Sequence, residues 1–146
     1  MKTVNEMTLE FPSKSANESF ARAAVACFAA QLDPNMEELN DIKTAVSEAV
    51  TNCIVHAYRD TIGKITVKCR ILPENTLDIL VKDKGCGIEN IEEARKPMFS
   101  TGGAERSGMG FTIMESFMSE LKVSSKPGKG TTVHMNRRII KRGGRM

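Results

Sequence analysis

Leu77-Asp78-Ile79-Leu80-Val81-Lys82-Asp83-Lys84-Gly85-Cys86-Gly87 is the stretch on which the reading of this chain turns. Its first five residues are nearly all apolar and follow the turn residues Pro73-Glu74-Asn75, which predicts a strand in a central position of a sheet. Asp83 stands two residues past that run, and Gly85 and Gly87 free the backbone to adopt positive φ. A carboxylate at the end of a central strand can accept a hydrogen bond from an exocyclic amine such as that of adenine. Asp and Gly are also ordinary turn residues, so the stretch takes its meaning from its surroundings.

Upstream, Lys64 to Leu72 reads as a strand with Ile65, Val67, Cys69 and Ile71 on one face. Before it, a helix is predicted from about Asn35 to about Tyr58, on a spine of Leu39, Ile42, Val46, Ala49, Val50, Cys53 and Ala57. Val4, Met7, Leu9 and Phe11 predict a first strand ending at Pro12. Ser15-Ala16-Asn17-Glu18 then offers a helix start, and Phe20, Ala24, Cys27, Phe28 and Leu32 carry the helix to Asp33-Pro34. Downstream come a short helix from Glu89 to Arg95, a polar loop from Lys96 to Ser107, and a helix from about Met109 to Leu121. A hairpin closes the chain: Lys122 to Ser125, the turn Pro127-Gly128-Lys129-Gly130, and Thr131 to about Ile139. Strands and helices segregate too far for a doubly wound fold. They predict an α+β two-layer sandwich, a mixed and mostly antiparallel sheet with helices on one face.

The composition suits a single domain over 1–140 with a basic tail over 141–146. No run reaches the roughly 18 apolar residues of a membrane span, and the first residues lack a signal-peptide core, so a cytoplasmic protein with no membrane partner is expected. The net charge of +3 is misleading: five of the 21 Lys and Arg lie in the last ten residues, and the remaining sixteen face 18 Asp and Glu. A body charge of about −2 argues against direct nucleic-acid binding. Cys27, Cys53, Cys69 and Cys86 form no C-x-x-C pair and read as free, buried thiols.

Glu48, Asn52 and His56 recur every fourth residue and form one stripe along the border of the second helix's apolar spine. An amide oxygen suits Mg2+, which keeps waters and takes phosphate oxygens, and a carboxylate one turn earlier can orient or deprotonate a hydroxyl. An ordinary solvated helix edge explains the same stripe, and His56, without a partner histidine, reads as structural. Gly108-Met109-Gly110 opens a helix and forms an anion site of backbone N–H groups that is neither a P-loop nor a dinucleotide fingerprint. Arg106, just before it, can reach a phosphate, and a solvated loop arginine explains the residue equally well.

Taken in order, Glu48-x-x-x-Asn52, Asp83-x-Gly85-x-Gly87, Gly108-x-Gly110 and Gly130-Thr131 resemble the four boxes of the GHKL (Bergerat-fold) ATPases, over nearly the whole chain. The resemblance implies Asn52 on Mg2+, Asp83 on the adenine of ATP or ADP, and Gly85 and Gly87 against the nucleotide. It implies Gly108, Gly110 and the nearby Thr101, Ser107, Met109 and Phe111 at the phosphates, and Thr131 on the adenine side. Glu48 would be the catalytic base and Arg106 would face the γ-phosphate. Within the family, the short length and the stretches Ser47–Asn52, Glu105–Glu115 and Lys129–Val133 look like the anti-sigma serine kinases of spore-forming bacteria. That implies a homodimer with two partners: a sporulation sigma factor kept from RNA polymerase, and an anti-anti-sigma factor phosphorylated on serine. A sister kinase of a stress-response sigma factor, and a nucleotide-gated sigma-binding module with little turnover, remain open at this point.

Overall fold

The computed structural model describes residues 2–88, 90–95 and 110–140. Among them the order is β1 (Asn5–Pro12), α1 (Ala16–Ala29), a 3-10 turn (Ala30–Leu32), α2 (Met36–Asn52), a π-helical turn (Cys53–Ala57), β2 (Lys64–Leu72), β3 (Thr76–Asp83), α3 (Ile91–Ala94), α4 (Gly110–Phe117), β4 (Glu120–Lys126) and β5 (Gly130–Arg138). The five strands form one sheet in the order β1-β2-β3-β5-β4. The Leu77–Val81 run thus lies in the middle strand, as its apolar continuity requires. The expectation was a mixed, mostly antiparallel sheet; every described pairing is antiparallel.

Alternation decides which face is covered. Ile65, Val67 and Cys69 of β2, Leu77, Ile79 and Val81 of β3, and Val133 and Met135 of β5 are buried on one side. Against them lie Ala21, Val25 and Phe28 of α1, Ile42, Val46, Ala49 and Val50 of α2, and Phe111 and Met114 of α4. The opposite face carries charge. There the buried Asp78 accepts from Arg70 at 2.7 Å and 3.1 Å and pairs with His134 at 2.6 Å.

The start of α2 is held by a local cap and by the segment that follows β5. Asn35 accepts from the Glu38 N–H at 2.7 Å and donates its own N–H to Glu38 Oε1 at 2.9 Å. The other oxygen of this buried glutamate accepts the Ile140 N–H at 3.0 Å. Ser15, expected to start α1, stands at its N-cap but makes no side-chain capping hydrogen bond.

The last helix stops short of Leu121, to which the helical spacing of Ile113, Phe117 and Leu121 would carry it. It ends at Phe117, whose carbonyl accepts from Arg137 at 2.6 Å, and Leu121 pairs with Met135 inside the β4–β5 ladder. Strand pairing outweighs helical periodicity there. Of the four free cysteines only Cys53 and Cys69 are buried; Cys27 and Cys86 are exposed. Burial, and secondarily the charge of Asp78, pushes the Cys69 thiol up to about 12.

Candidate nucleotide site

Antiparallel pairing of β3 with β5 places the end of one strand beside the start of the other, with Lys82 opposite Thr132. Asp83 and Thr131 therefore meet, 48 residues apart in the chain. Asp83 is 5% exposed. Its Oδ1 accepts from the Gly85 N–H at 2.9 Å and the Thr131 N–H at 3.2 Å, and its Oδ2 accepts from the Cys53 thiol at 3.4 Å. Such a carboxylate is held in one orientation while one lone pair of Oδ2 stays available. Burial, the Asp83 charge and the hydrogen bond to it all push the Cys53 thiol well above its ordinary value, so it stays a donor.

The end of α2 explains how the helix reaches this carboxylate. After Asn52 the chain widens into a π-helical turn, in which the Tyr58 N–H bonds the Cys53 carbonyl at 3.1 Å. Carbonyls of that turn then hold the glycine turn: Ala57 O accepts the Cys86 N–H at 3.1 Å, and His56 O accepts the Cys86 thiol at 3.2 Å. The Tyr58 hydroxyl donates to Lys64 O at 2.8 Å and accepts the Lys84 N–H at 2.7 Å. Burial raises the pKa of this phenol; the Lys84 N–H opposes the rise, and the charges of Asp83 and Cys53 add to it. His56 takes part here through its backbone carbonyl.

Close approach explains the glycines. A Cβ on Gly85 would stand 2.3 Å from Ala57 O. On Gly87, which has φ +78°, it would stand 2.2 Å from Lys126 O, and on Gly130, with φ +111°, 2.3 Å from Asp83 O. The need for glycine at Gly85 and Gly87, expected from a ligand, is met by protein backbone on both sides of the turn. Ser125 completes the far wall. It accepts the Ile88 N–H at 2.8 Å and lies 2.8 Å from the Thr131 hydroxyl and 2.9 Å from Gly130 O.

Gly110 brings α4 against Asn52: a Cβ there would stand 3.2 Å from both Oδ1 and Nδ2 of the amide. The Phe111 side chain is buried in the core, so its contribution to a phosphate is limited to the backbone N–H. Glu48 is half-buried one turn before Asn52. It lines an open groove of about 440 Å3 with Arg22, Asn40, Lys43, Thr44 and Ser47. Thr101, Arg106, Ser107, Gly108 and Met109 lie outside the described residues. Among the described residues, no group of three or more His, Cys, Asp or Glu is arranged to hold a metal. A single amide shared with phosphate oxygens and waters is the donor set that Mg2+ tolerates, and Asn52 beside the Gly110 helix start fits it.

Asp83, Gly85 and Thr131 are joined by hydrogen bonds, Asn52 meets Gly110, and Cys53, the residue after Asn52, ties the two groups together; with Gly87 they come from four separate segments. Sequence reasoning missed Cys53, Tyr58 and Ser125. On sequence alone Cys53 is one more residue of the apolar spine. The β4–β5 register that sets Ser125 opposite Thr131 was the available signal for the serine.

The profile of the histidine kinase-like ATPase domain matches residues 11–137. The chain is 59% identical over 140 residues to the anti-sigma F factor of Caldanaerobacter subterraneus subsp. tengcongensis, covering 95% of this chain and 97% of that one. It is 53% identical over 136 residues to the anti-sigma F factor of Clostridium acetobutylicum, covering 92% of this chain and 94% of that one. Among solved structures it resembles the RsbU and RsbW domains of a Mycobacterium tuberculosis protein, with TM-score 0.69 and 19% identity over 93% of this chain and 33% of that chain. It also resembles the mycobacterial sensor histidine kinase MprB, with TM-score 0.57 and 14% identity over 93% of this chain and all of that chain. At those identities the two structures support the fold. The chain belongs to the histidine kinase-like ATPase family and, within it, to the anti-sigma F factors. Membership in that ATPase family implies nucleotide binding. Among the described residues no helix is long and apolar enough to cross a membrane.

Proposed function

We propose that this protein is an ATP-dependent protein-serine kinase that also sequesters a sporulation sigma factor from RNA polymerase. Its phosphoacceptor is a serine of the anti-anti-sigma antagonist, and it acts as a homodimer. The observation that carries the reading is the convergence on α2: Asp83 reaches the helix through Cys53, Asn52 precedes that thiol, and Glu48 stands one turn earlier beside an open groove. The names of the relatives, anti-sigma F factors, supply the partner class.

In this assignment Asp83 accepts the adenine amine, and Thr131 lies at the same edge. Asn52 would hold Mg2+ together with phosphate oxygens, and the ion would supply positive charge there. The N–H groups at the start of α4 face the phosphates, with Arg106 at the γ-phosphate. The acceptor serine reaches the γ-phosphorus from the Glu48 groove. Its Oγ forms the new P–O bond, the bond to the β–γ bridging oxygen breaks, ADP leaves, and Glu48 takes the hydroxyl proton. Phosphoryl transfer asks mainly for such positioning and electrostatic stabilisation.

The test incubates the protein with ATP, Mg2+ and the anti-anti-sigma protein, and measures phosphoserine on the latter. Glu48→Gln should lower transfer by about 10²-fold or more, the scale of lost general-base catalysis, with ATP affinity within about twofold. Equal loss of transfer and binding would remove Glu48 from the role of base. No phosphoserine with the unsubstituted, folded protein would sink the kinase assignment.

A further inference from the structure

Asp83 is held from three directions, and one holder is unlike the others. Two are backbone N–H groups, Gly85 and Thr131, which exist whatever side chains the chain carries; both go to Oδ1. The third is the side chain of Cys53, 3% exposed, which among the described residues alone engages Oδ2, at 3.4 Å. A carboxylate oxygen has about two lone-pair positions. Oδ1 is filled by its two N–H partners. Oδ2 has one position filled by the thiol and one left. The carboxylate can therefore accept one further donor, and the thiol determines on which side of Oδ2 that donor must lie.

From this geometry we infer that Cys53 is a positioning residue for base recognition, acting through Asp83 without touching the nucleotide. The inference rests on the reading of Asp83 as the adenine acceptor. Without the thiol, the Oδ2 side of the carboxylate loses its one protein donor among the described residues, and the plane of the group is pinned by the N–H groups at Oδ1. A second lone pair then opens to water in the space the sulfur leaves. Both changes weaken the interaction with an incoming amine, and neither affects the phosphate end of the site. A thiol is also a weak donor. It orients Oδ2 without greatly reducing its strength as an acceptor for the base.

The experiment measures the affinities of ATP and of purine riboside triphosphate, which lacks the exocyclic amine, with the full chain and Mg2+. Cys53→Ala and Cys53→Val bracket the thiol's volume and both remove the donor; if one fails to fold, the other is read. The expected result is a loss of ATP affinity of about five- to tenfold, with the amine-free analogue within about twofold of the unsubstituted protein. Cys53→Ser keeps a donor and should restore most of the preference for ATP. A purely packing role would lower both affinities by one common factor, and that outcome, or no change in either, overturns the inference. Asp83→Asn is the control for the underlying reading. If it abolishes the preference while Cys53→Ala and Cys53→Val leave it intact, the role of Cys53 alone is refuted. If Asp83→Asn leaves the preference intact, the adenine reading fails and the inference goes with it.

Discussion

Gly87→Ala and Gly128→Ala form a matched pair that isolates the contact between the glycine turn and the β4–β5 hairpin. Both glycines are left-handed with nearly equal φ, +78° and +76°. An alanine forced into that region costs about 1–2 kcal/mol at either position. The surroundings differ. A Cβ at Gly128 meets nothing within 4 Å, whereas at Gly87 it would stand 2.2 Å from Lys126 O and 2.7 Å from Lys126 C. Relief requires the turn to move by about 1 Å or more to reach ordinary contact distance. That motion pulls on two hydrogen bonds across the same seam, Gly128 N–H to Cys86 O at 2.7 Å and Ile88 N–H to Ser125 Oγ at 2.8 Å. At about 0.5–1.5 kcal/mol net for each, their loss adds roughly 1–3 kcal/mol. Gly87→Ala should therefore destabilise by about 2–5 kcal/mol and Gly128→Ala by about 1–2 kcal/mol. Urea unfolding followed by circular dichroism measures the difference, and ATP binding should weaken more in Gly87→Ala. Equal destabilisation, within about 0.5 kcal/mol, would refute the reasoning by showing that φ alone sets the cost.

Two further outcomes are expected. Tyr58→Phe removes one hydroxyl that serves Lys64 O and the Lys84 N–H together; a loss of about 1–3 kcal/mol in urea unfolding is expected, with weaker ATP binding because Lys84 follows Asp83 directly. Stability should also fall in alkali. The folded-state pKa of Cys69 lies near 12 against an ordinary 9.0, so below pH 9 both folded and unfolded chains carry the neutral thiol and its stabilising contribution is fully present. As pH rises from 9.0 towards about 12 the unfolded chain ionises first, which costs about 1.4 kcal/mol per pH unit, roughly 4 kcal/mol in all. Cys69→Val should flatten that decline in a pH series of unfolding midpoints, and an unchanged slope would discount the thiol.

Much of the architecture was legible because burial leaves a period in the chain. Ile65, Val67, Cys69 and Ile71 mark β2 to its observed ends, and the unbroken apolar run of Leu77–Val81 marks the middle strand. The reading failed where two patterns competed. The stripe Ile113, Phe117 and Leu121 has helical spacing, yet Leu121 belongs to β4, because pairing with Met135 and the Arg137 cap on Phe117 end the helix first. The width of the turn after Asn52 was hidden as well. The π-helical segment is stabilised by partners from the glycine turn, and no local residue preference announces them.

The sequence alone determined the inventory of the candidate site: an acid and an amide one helical turn apart, a carboxylate after a central strand, glycines at the turns, and their order along the chain. These are local properties, set by periodicity and by which residues tolerate a turn. Tertiary structure decided what each part touches. It showed that Gly85 and Gly87 are required by the backbone of Ala57 and Lys126, and that Asp83 is held by residues 30 and 48 positions away in the chain. It also gave Cys53, which on sequence alone was one more apolar residue in a helix spine, a hydrogen bond to the central carboxylate. The reason is physical: hydrogen bonds and close backbone approaches between distant segments depend on strand register and helix end geometry, and the packed fold alone sets both.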